Sequence, residues 1–252
     1  IKRCALGTYR AQGRGGRGIK GMESKEDDFI QTIFVASAHT TILFFTNTGR
    51  CYSVKVYRIP EAGRQSRGRS IVNVLELKPG EEIITFVTTK EFDEDHFIVL
   101  ATKKGVINKQ PISSYSNIRR DGINCIRLDE NDNVIECKLT DGTKDIILGT
   151  RNGQAVRFSE SATRELGRNT RGMKGIKLKN DDQVVSMIAV AEEDGVLTVT
   201  KNGFGKVTAV AEYRKTNRGG SGIKNIKTTE RNGYVQALRT IDHDCDIMII
   251  TK

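Results

Sequence analysis

Ile146-Ile147-Leu148-Gly149-Thr150-Arg151-Asn152-Gly153 is a short apolar run closed by a four-residue turn, and the same arrangement recurs along the chain. Turns with Thr first and Gly last stand at Thr46-Asn47-Thr48-Gly49, Thr102-Lys103-Lys104-Gly105, Thr150-Arg151-Asn152-Gly153 and Thr200-Lys201-Asn202-Gly203, with Thr251-Lys252 starting a fifth. Glycine-to-glycine intervals of 56, 48 and 50 residues define a repeat. Alternation follows each turn, as in Tyr52, Val54 and Val56 on one side with Ser53 and Lys55 on the other. This is strand, turn, strand. The last glycine supplies the positive φ of a hairpin turn, and Asn-Gly at 152–153 and 202–203 is the strongest short hairpin signal.

About twenty residues beyond each turn comes a connector rich in Arg and Gly that ends in an apolar residue. The copies are Gln12-Gly13-Arg14-Gly15-Gly16-Arg17-Gly18 before Ile19, Arg64 to Ile71, Ile118 to Ile123, Arg168 to Ile176 and Asn217 to Ile223. A short strand, an acidic turn and a further apolar strand complete each unit. The acidic turns are Glu26-Asp27-Asp28, Glu81-Glu82, Asp129-Glu130, Asp181-Asp182 and Glu230. No stretch holds a 3.6-residue apolar period over a helical length, so the chain is all-β. Units of about 50 residues with four strands each predict a propeller-like disc, which leaves only short strand edges. The boundaries fall near 1–32, 33–83, 84–134, 135–185, 186–236 and 237–252, within one domain spanning 1–252. The last unit stops early, so a further half to whole unit is expected beyond Lys252.

With 41 Lys and Arg against 31 Asp and Glu, the chain carries a net charge of +10 and suits an anionic partner. There is no apolar run of about 18 residues and no signal-peptide core, so a soluble cytoplasmic chain is expected. Cys4, Cys51, Cys125, Cys137 and Cys245 lack a CxxC pair and read as reduced structural thiols. His39, His96 and His243 read as turn residues.

Charge is segregated in the sequence, with Arg and Lys in the connectors and hairpin turns and Asp and Glu in the other turns. Equivalent connectors occupy equivalent places on a disc, so the cations predict a belt around its rim. Such a belt suits a polyanion held by its backbone, without sequence readout. Arg14, Arg17, Arg64, Arg67, Arg69, Arg119, Arg120, Arg168, Arg171, Lys174, Arg218 and Lys224 are the candidate contacts. Gly13 to Gly18 also fits the pattern GxGxxG, but the dinucleotide site needs a helix N-terminus, and Ile-Lys-Gly-Met with an acidic run follows instead. No carboxylate pair, metal-ligand cluster or Ser-His-Asp set recurs with the repeat, so no catalytic or metal site is expected.

Gln12 to Gly18 resembles the gyrase A box, the seven-residue motif of the C-terminal domain of DNA gyrase A, with Gly13 in place of its first Arg. Phe44 to Tyr52, Lys55-Val56-Tyr57 with Pro60-Glu61-Ala62, Gly167 to Gly172, Thr208 to Tyr213 and Thr229 to Gly233 are similar to that family too. The resemblance implies a six-bladed β-pinwheel whose blades exchange strands, and a basic rim that wraps double-stranded DNA and presents a positive crossover to a strand-passage core. It also implies a domain without catalysis or cofactor of its own, since ATP and magnesium act elsewhere in the enzyme. The implied partners are the rest of gyrase A and the gyrase B protein in an A2B2 assembly, with the isolated domain monomeric in a bacterial cytoplasm. The corresponding domain of topoisomerase IV and a protein-binding propeller scaffold are the alternatives. The intact Gln12, Gly15, Gly16 and Gly18 favour gyrase over the first.

Overall fold

Each Thr-x-x-Gly turn closes a hairpin in the computed structural model, which describes residues 1–8, 32–63 and 65–241. The strands of the described residues are β1 (Thr41–Thr46), β2 (Arg50–Lys55), β3 (Ile83–Thr89), β4 (Phe97–Thr102), β5 (Val106–Pro111), β6 (Ile123–Asn124), β7 (Val134–Thr140) and β8 (Asp145–Thr150). They continue with β9 (Gln154–Ser159), β10 (Met173–Lys174), β11 (Val184–Val190), β12 (Gly195–Thr200), β13 (Gly205–Ala209), β14 (Ile223–Lys224) and β15 (Val235–Ile241). Helix is confined to single 3₁₀ turns among the described residues.

The turn glycines Gly49, Gly105, Gly153 and Gly203 hold φ of 77°, 82°, 83° and 81°, while Asn152 and Asn202 do not enter the positive-φ region. Each hairpin is therefore a three-residue loop that ends in a left-handed glycine, rather than the two-residue Asn-Gly turn that the dipeptide suggests. Threonine has a job here. The buried hydroxyls of Thr46, Thr102 and Thr150 accept from the backbone N–H of Arg50, Val106 and Gln154 at 3.2, 3.2 and 3.1 Å, which satisfies the amide that the extra residue displaces.

Among the described residues antiparallel pairing gives four sheets, in the orders β3-β1-β2-β6, β10-β5-β4-β7, β11-β8-β9-β14 and β13-β12-β15. The two-residue strands are not in the sheets of their sequence neighbours. β6 lies after the second hairpin yet pairs with β2 of the first sheet, and β10 and β14 likewise step back to β5 and β9. This is strand exchange between successive sheets. The hairpin glycine is the docking point: Gly49 O, Gly105 O and Gly153 O accept from the N–H of Cys125, Gly175 and Asn225, each at 2.8 Å. Ile126 and Ile176 then pack where a glycine Cβ would stand, at 2.8 Å and 2.7 Å, and the Ile226 carbonyl takes that place at Gly153. Only glycine fits. The connector that begins at Arg64 departs from the pattern, since Ile71–Asn73 forms a 3₁₀ turn instead of a short strand.

Successive sheets pack face to face. Leu43 and Phe45 join Ile98, Leu100, Cys125 and Cys137 between the first and second, and Val99 and Ile107 join Ile146, Leu148 and Phe158 between the second and third. Ile147 and Ile188 meet Val196, Val210 and Leu238 between the third and fourth. Because β1, β4 and β8 are buried on both faces, they read as unbroken apolar runs rather than as alternation. One edge strand of each sheet, β3, β7, β11 and β15, touches the next in turn, so the sheets radiate from a common line in the manner of a propeller. The exchanged strands β6, β10 and β14 occupy the opposite, outer edges.

Candidate nucleic-acid interface

The connectors reach the outer edge through a fixed backbone gate. Gly122, Gly172 and Gly222 immediately precede β6, β10 and β14 and hold φ of 77°, 81° and 73°. A Cβ there would lie 2.8 Å from the Tyr52 ring, 2.6 Å from Ile107 O and 2.5 Å from Ala155 O. Asn169 and Gly219 add a second left-handed residue three positions earlier, at 62° and 84°. These turns hold each connector against the outer edge while its long side chains project into solvent. Polar contacts from the core fix the backbone further. Asn108 Nδ2 donates to Thr170 Oγ1 at 2.9 Å, and behind it Gln110 Nε2 donates to Asn108 Oδ1 and Tyr115 donates to Gln110 Oε1, each at 2.8 Å.

The predicted contacts divide into two groups. Arg67, Arg69, Arg119, Arg168, Lys174 and Lys224 are exposed, and among the described residues none takes their charged groups. Lys174 and Lys224 stand 50 residues apart at the second position of an exchanged strand, where the first such strand carries Asn124. The others are engaged. Arg120 pairs with Glu76 and Arg171 with Asp129, both at 2.7 Å, and Arg218 donates to Lys174 O at 2.6 Å. Segregation of charge in the sequence is therefore not segregation in space, because acidic turns lie within reach of the connectors. Exposed ion pairs are worth roughly 0 to 1 kcal/mol, so Arg120 and Arg171 can exchange carboxylate for phosphate at small cost. The box Gln12 to Gly18, and Arg64, lie outside the described residues.

One contributor is absent from the sequence reading. Arg50, next to a hairpin glycine, donates through Nη1 to Asn124 Oδ1 at 2.8 Å and through Nη2 to Asp121 O, tying connector to sheet. Glu81 holds it from the other side at 3.3 Å and is itself bonded by Tyr52 Oη at 2.6 Å. Burial and that hydrogen bond to a carboxylate raise the Tyr52 phenol above its ordinary range, so it stays a neutral donor. Arg50 has no repeat signal, because the equivalent positions hold Val106, Gln154 and Phe204. Asn124 is legible from its phase with Lys174 and Lys224.

The remaining chemistry-bearing side chains are structural. Cys51, Cys125 and Cys137 are buried in the core between the first two sheets, where burial raises the thiols of Cys51 and Cys137 well above their usual range. Tyr115 and Tyr213 are buried with their hydroxyls bonded, and among the described residues no group of three or more His, Cys, Asp or Glu is placed to hold a metal. No helix of the described residues is long and apolar enough to cross a membrane.

Comparison with known proteins bears on the whole chain. The sequence model of a family described as the DNA gyrase C-terminal domain, beta-propeller, matches residues 1–37, 40–90, 96–141, 144–191 and 196–242. The DNA gyrase A protein of Staphylococcus aureus (strain NCTC 8325 / PS 47) is 46% identical over an alignment that covers all of this chain and 29% of that protein. The chain thus spans under a third of the length of the curated relatives it matches. Among solved structures, a DNA gyrase A C-terminal domain superposes with a TM-score of 0.77 at 25% identity, covering 96% of this chain and 80% of that one. The C-terminal domain of a DNA topoisomerase IV gives 0.80 at 25% identity, covering 96% and 74%.

Proposed function

This chain belongs to the DNA gyrase C-terminal domain family, and from that premise we propose that it binds duplex DNA along its connector edge without reading sequence and bends the duplex around that edge. The bent segment is presented with a positive crossover to a cleavage and strand-passage core, where ATP-driven passage gives negative supercoiling. The chain contributes no catalytic step and holds no cofactor. Its partners are double-stranded DNA, the remainder of gyrase A and the gyrase B protein, in an A2B2 assembly in a bacterial cytoplasm. The observation that carries the reading is the row of exposed cations on successive outer edges, from Arg119 through Arg168 and Lys174 to Lys224, which have no ion-pair partner among the described residues. Repeated point charges without a groove-reading helix suit phosphate neutralisation, which carries no sequence information.

Topoisomerase IV domains have a similar fold, and the box supports the gyrase reading because its Gln12, Gly15, Gly16 and Gly18 are intact, with Arg14 and Arg17 between them. A topology assay tests the function. Closed circular DNA incubated with the chain, relaxed by an added topoisomerase and then stripped of protein is expected to retain positive linking difference in proportion to protein; an unshifted topoisomer distribution would refute wrapping. In the assembled enzyme, Arg14→Ala with Arg17→Ala is expected to abolish supercoiling while relaxation and short-duplex binding persist. Equal losses in all three would make the box one anchor among many.

A further inference from the structure

Where the connector of residues 118–122 meets the connector of residues 167–172, the outer edge opens into a groove of about 560 Å³. Arg119 enters it from the first connector and Arg168 from the second, and these connectors feed strands on different sheets. Backbone contacts hold the two segments side by side: Asn169 N–H donates to Cys125 O at 3.0 Å and Arg127 N–H to Thr170 O at 2.9 Å. Arg50 also lines the groove, its charge met by Glu81 and its fork spent on Asn124 and the Asp121 carbonyl. Ser116 and Asn117 add exposed neutral side chains with no partner among the described residues, and Asp121 is the one carboxylate of the described lining. Two guanidiniums with no partner among the described residues therefore share one lining with a single carboxylate and several neutral hydrogen-bonding groups.

We propose that this groove is a shared phosphate seat, in which Arg119 and Arg168 grip the two non-bridging oxygens of one DNA backbone phosphate and so tie two successive sheets to the same point on the duplex. The proposal rests on the DNA-binding function inferred above. A phosphodiester offers two acceptor oxygens to two guanidinium forks, with Ser116 and Asn117 as further donors to the neighbouring sugar-phosphate atoms. The chemistry that distinguishes the seat from the rest of the edge is sharing. Elsewhere each free cation has its own phosphate, whereas here one phosphate depends on both residues.

Sharing has a thermodynamic signature. Arg119→Ala and Arg168→Ala are made singly and together in the whole chain, with Arg119→Ala plus Lys224→Ala as the distant pair, and affinity for a short random-sequence duplex is measured against salt. Each arginine change is expected to weaken binding roughly tenfold. The Arg119/Arg168 double variant should be within about threefold of either single, and its salt slope should fall by about 0.9, as for loss of one phosphate. The Arg119/Lys224 pair should multiply its losses and lower the slope by about 1.8. Losses that multiply equally for both pairs would overturn the shared seat while leaving DNA binding intact; absence of salt-sensitive binding by the unsubstituted chain would overturn the seat and the function together. The substituted side chains are exposed and have no partner among the described residues, so an unchanged melting temperature confirms that binding and not folding is read.

Discussion

Thr150 is 1% exposed, and its hydroxyl does not face solvent as a turn threonine ordinarily does. It receives the Gln154 N–H at 3.1 Å, so Thr150→Val keeps the shape but leaves a half-buried amide without that acceptor. The expected cost is about 1 to 3 kcal/mol in denaturant unfolding, with Thr150→Ser largely restoring stability. Equal stability of the valine variant would show the hydroxyl to be idle. A second single-residue test concerns acid. Burial pushes the Asp145 carboxyl upward, but its bonds to Lys215 and Arg157 outweigh this and hold it below the ordinary carboxylate value. A depressed folded value means stabilisation that is complete above the unfolded pKa of about 3.9 and is lost as pH falls through the lower folded value. Melting between pH 5 and pH 2 should therefore decline more steeply for the native chain than for Asp145→Asn, and parallel declines would exclude the group. The motif around Thr150 is visible in the sequence as a repeat. The role of its hydroxyl and the isoleucine that occupies the glycine's missing Cβ are not, since both depend on a partner about 70 residues away or on a bulge.

At the scale of elements, hairpins and all-β character follow directly from apolar runs and turn glycines, whereas the destination of each two-residue strand does not. Nothing in Ile123-Asn124 states that it pairs with Cys51 and Arg50 rather than with its own hairpin. Periodicity reports that a segment is extended; the acceptor edge is chosen by long-range docking on a hairpin carbonyl. The inter-sheet ties show the same limit. Lys109 and Arg157 occupy one register position, opposite Val99 and Ile147, yet Lys109 pairs with Glu160 at 3.1 Å while Arg157 donates to Val210 O at 2.9 Å. Each reaches the next sheet by a different chemistry. Lys109 and Glu160 are both buried, the ammonium lying 3.8 Å from the Phe97 ring centre and the carboxylate also accepting from Thr140 Oγ1 at 2.7 Å. Lys109→Met alone strands a buried carboxylate and is expected to cost about 3 to 5 kcal/mol, while Lys109→Met with Glu160→Leu should recover most of it. Thermal unfolding of the two variants decides: if the double change is as damaging as the single, the pair is more than a mutual neutraliser.

For the whole molecule, net charge and the phase of the connectors foretell a basic outer edge, while which cations are free is a structural fact. Arg120 and Arg171 look identical in sequence to Arg119 and Arg168, yet Glu76 and Asp129 meet the first two, while no carboxylate of the described residues meets the second two. Sequence spacing places a charge on a connector; it cannot place the carboxylate that arrives from another sheet. The free group gives a quantity to measure. Arg67, Arg69, Lys174 and Lys224 with one phosphate each, and Arg119 with Arg168 on one between them, engage roughly five phosphates, and the box arginines add to that. Each neutralised phosphate contributes about 0.9 to the decline of log affinity with log salt, so for a duplex long enough to span the connectors these cations should give a slope of about −4.5, steeper where the box arginines engage as well. Unrelated duplexes of equal length should give equal affinities, because none of these cations is carried on an element that enters a groove. Shortening the duplex should reduce the slope in steps as successive connectors lose their phosphates, since the cations are strung along the edge rather than gathered in one patch. A slope near −1 that ignores duplex length, accompanied by a tenfold preference for one sequence, would mean that the edge presents a local reading site and that the repeated connectors are not its basis.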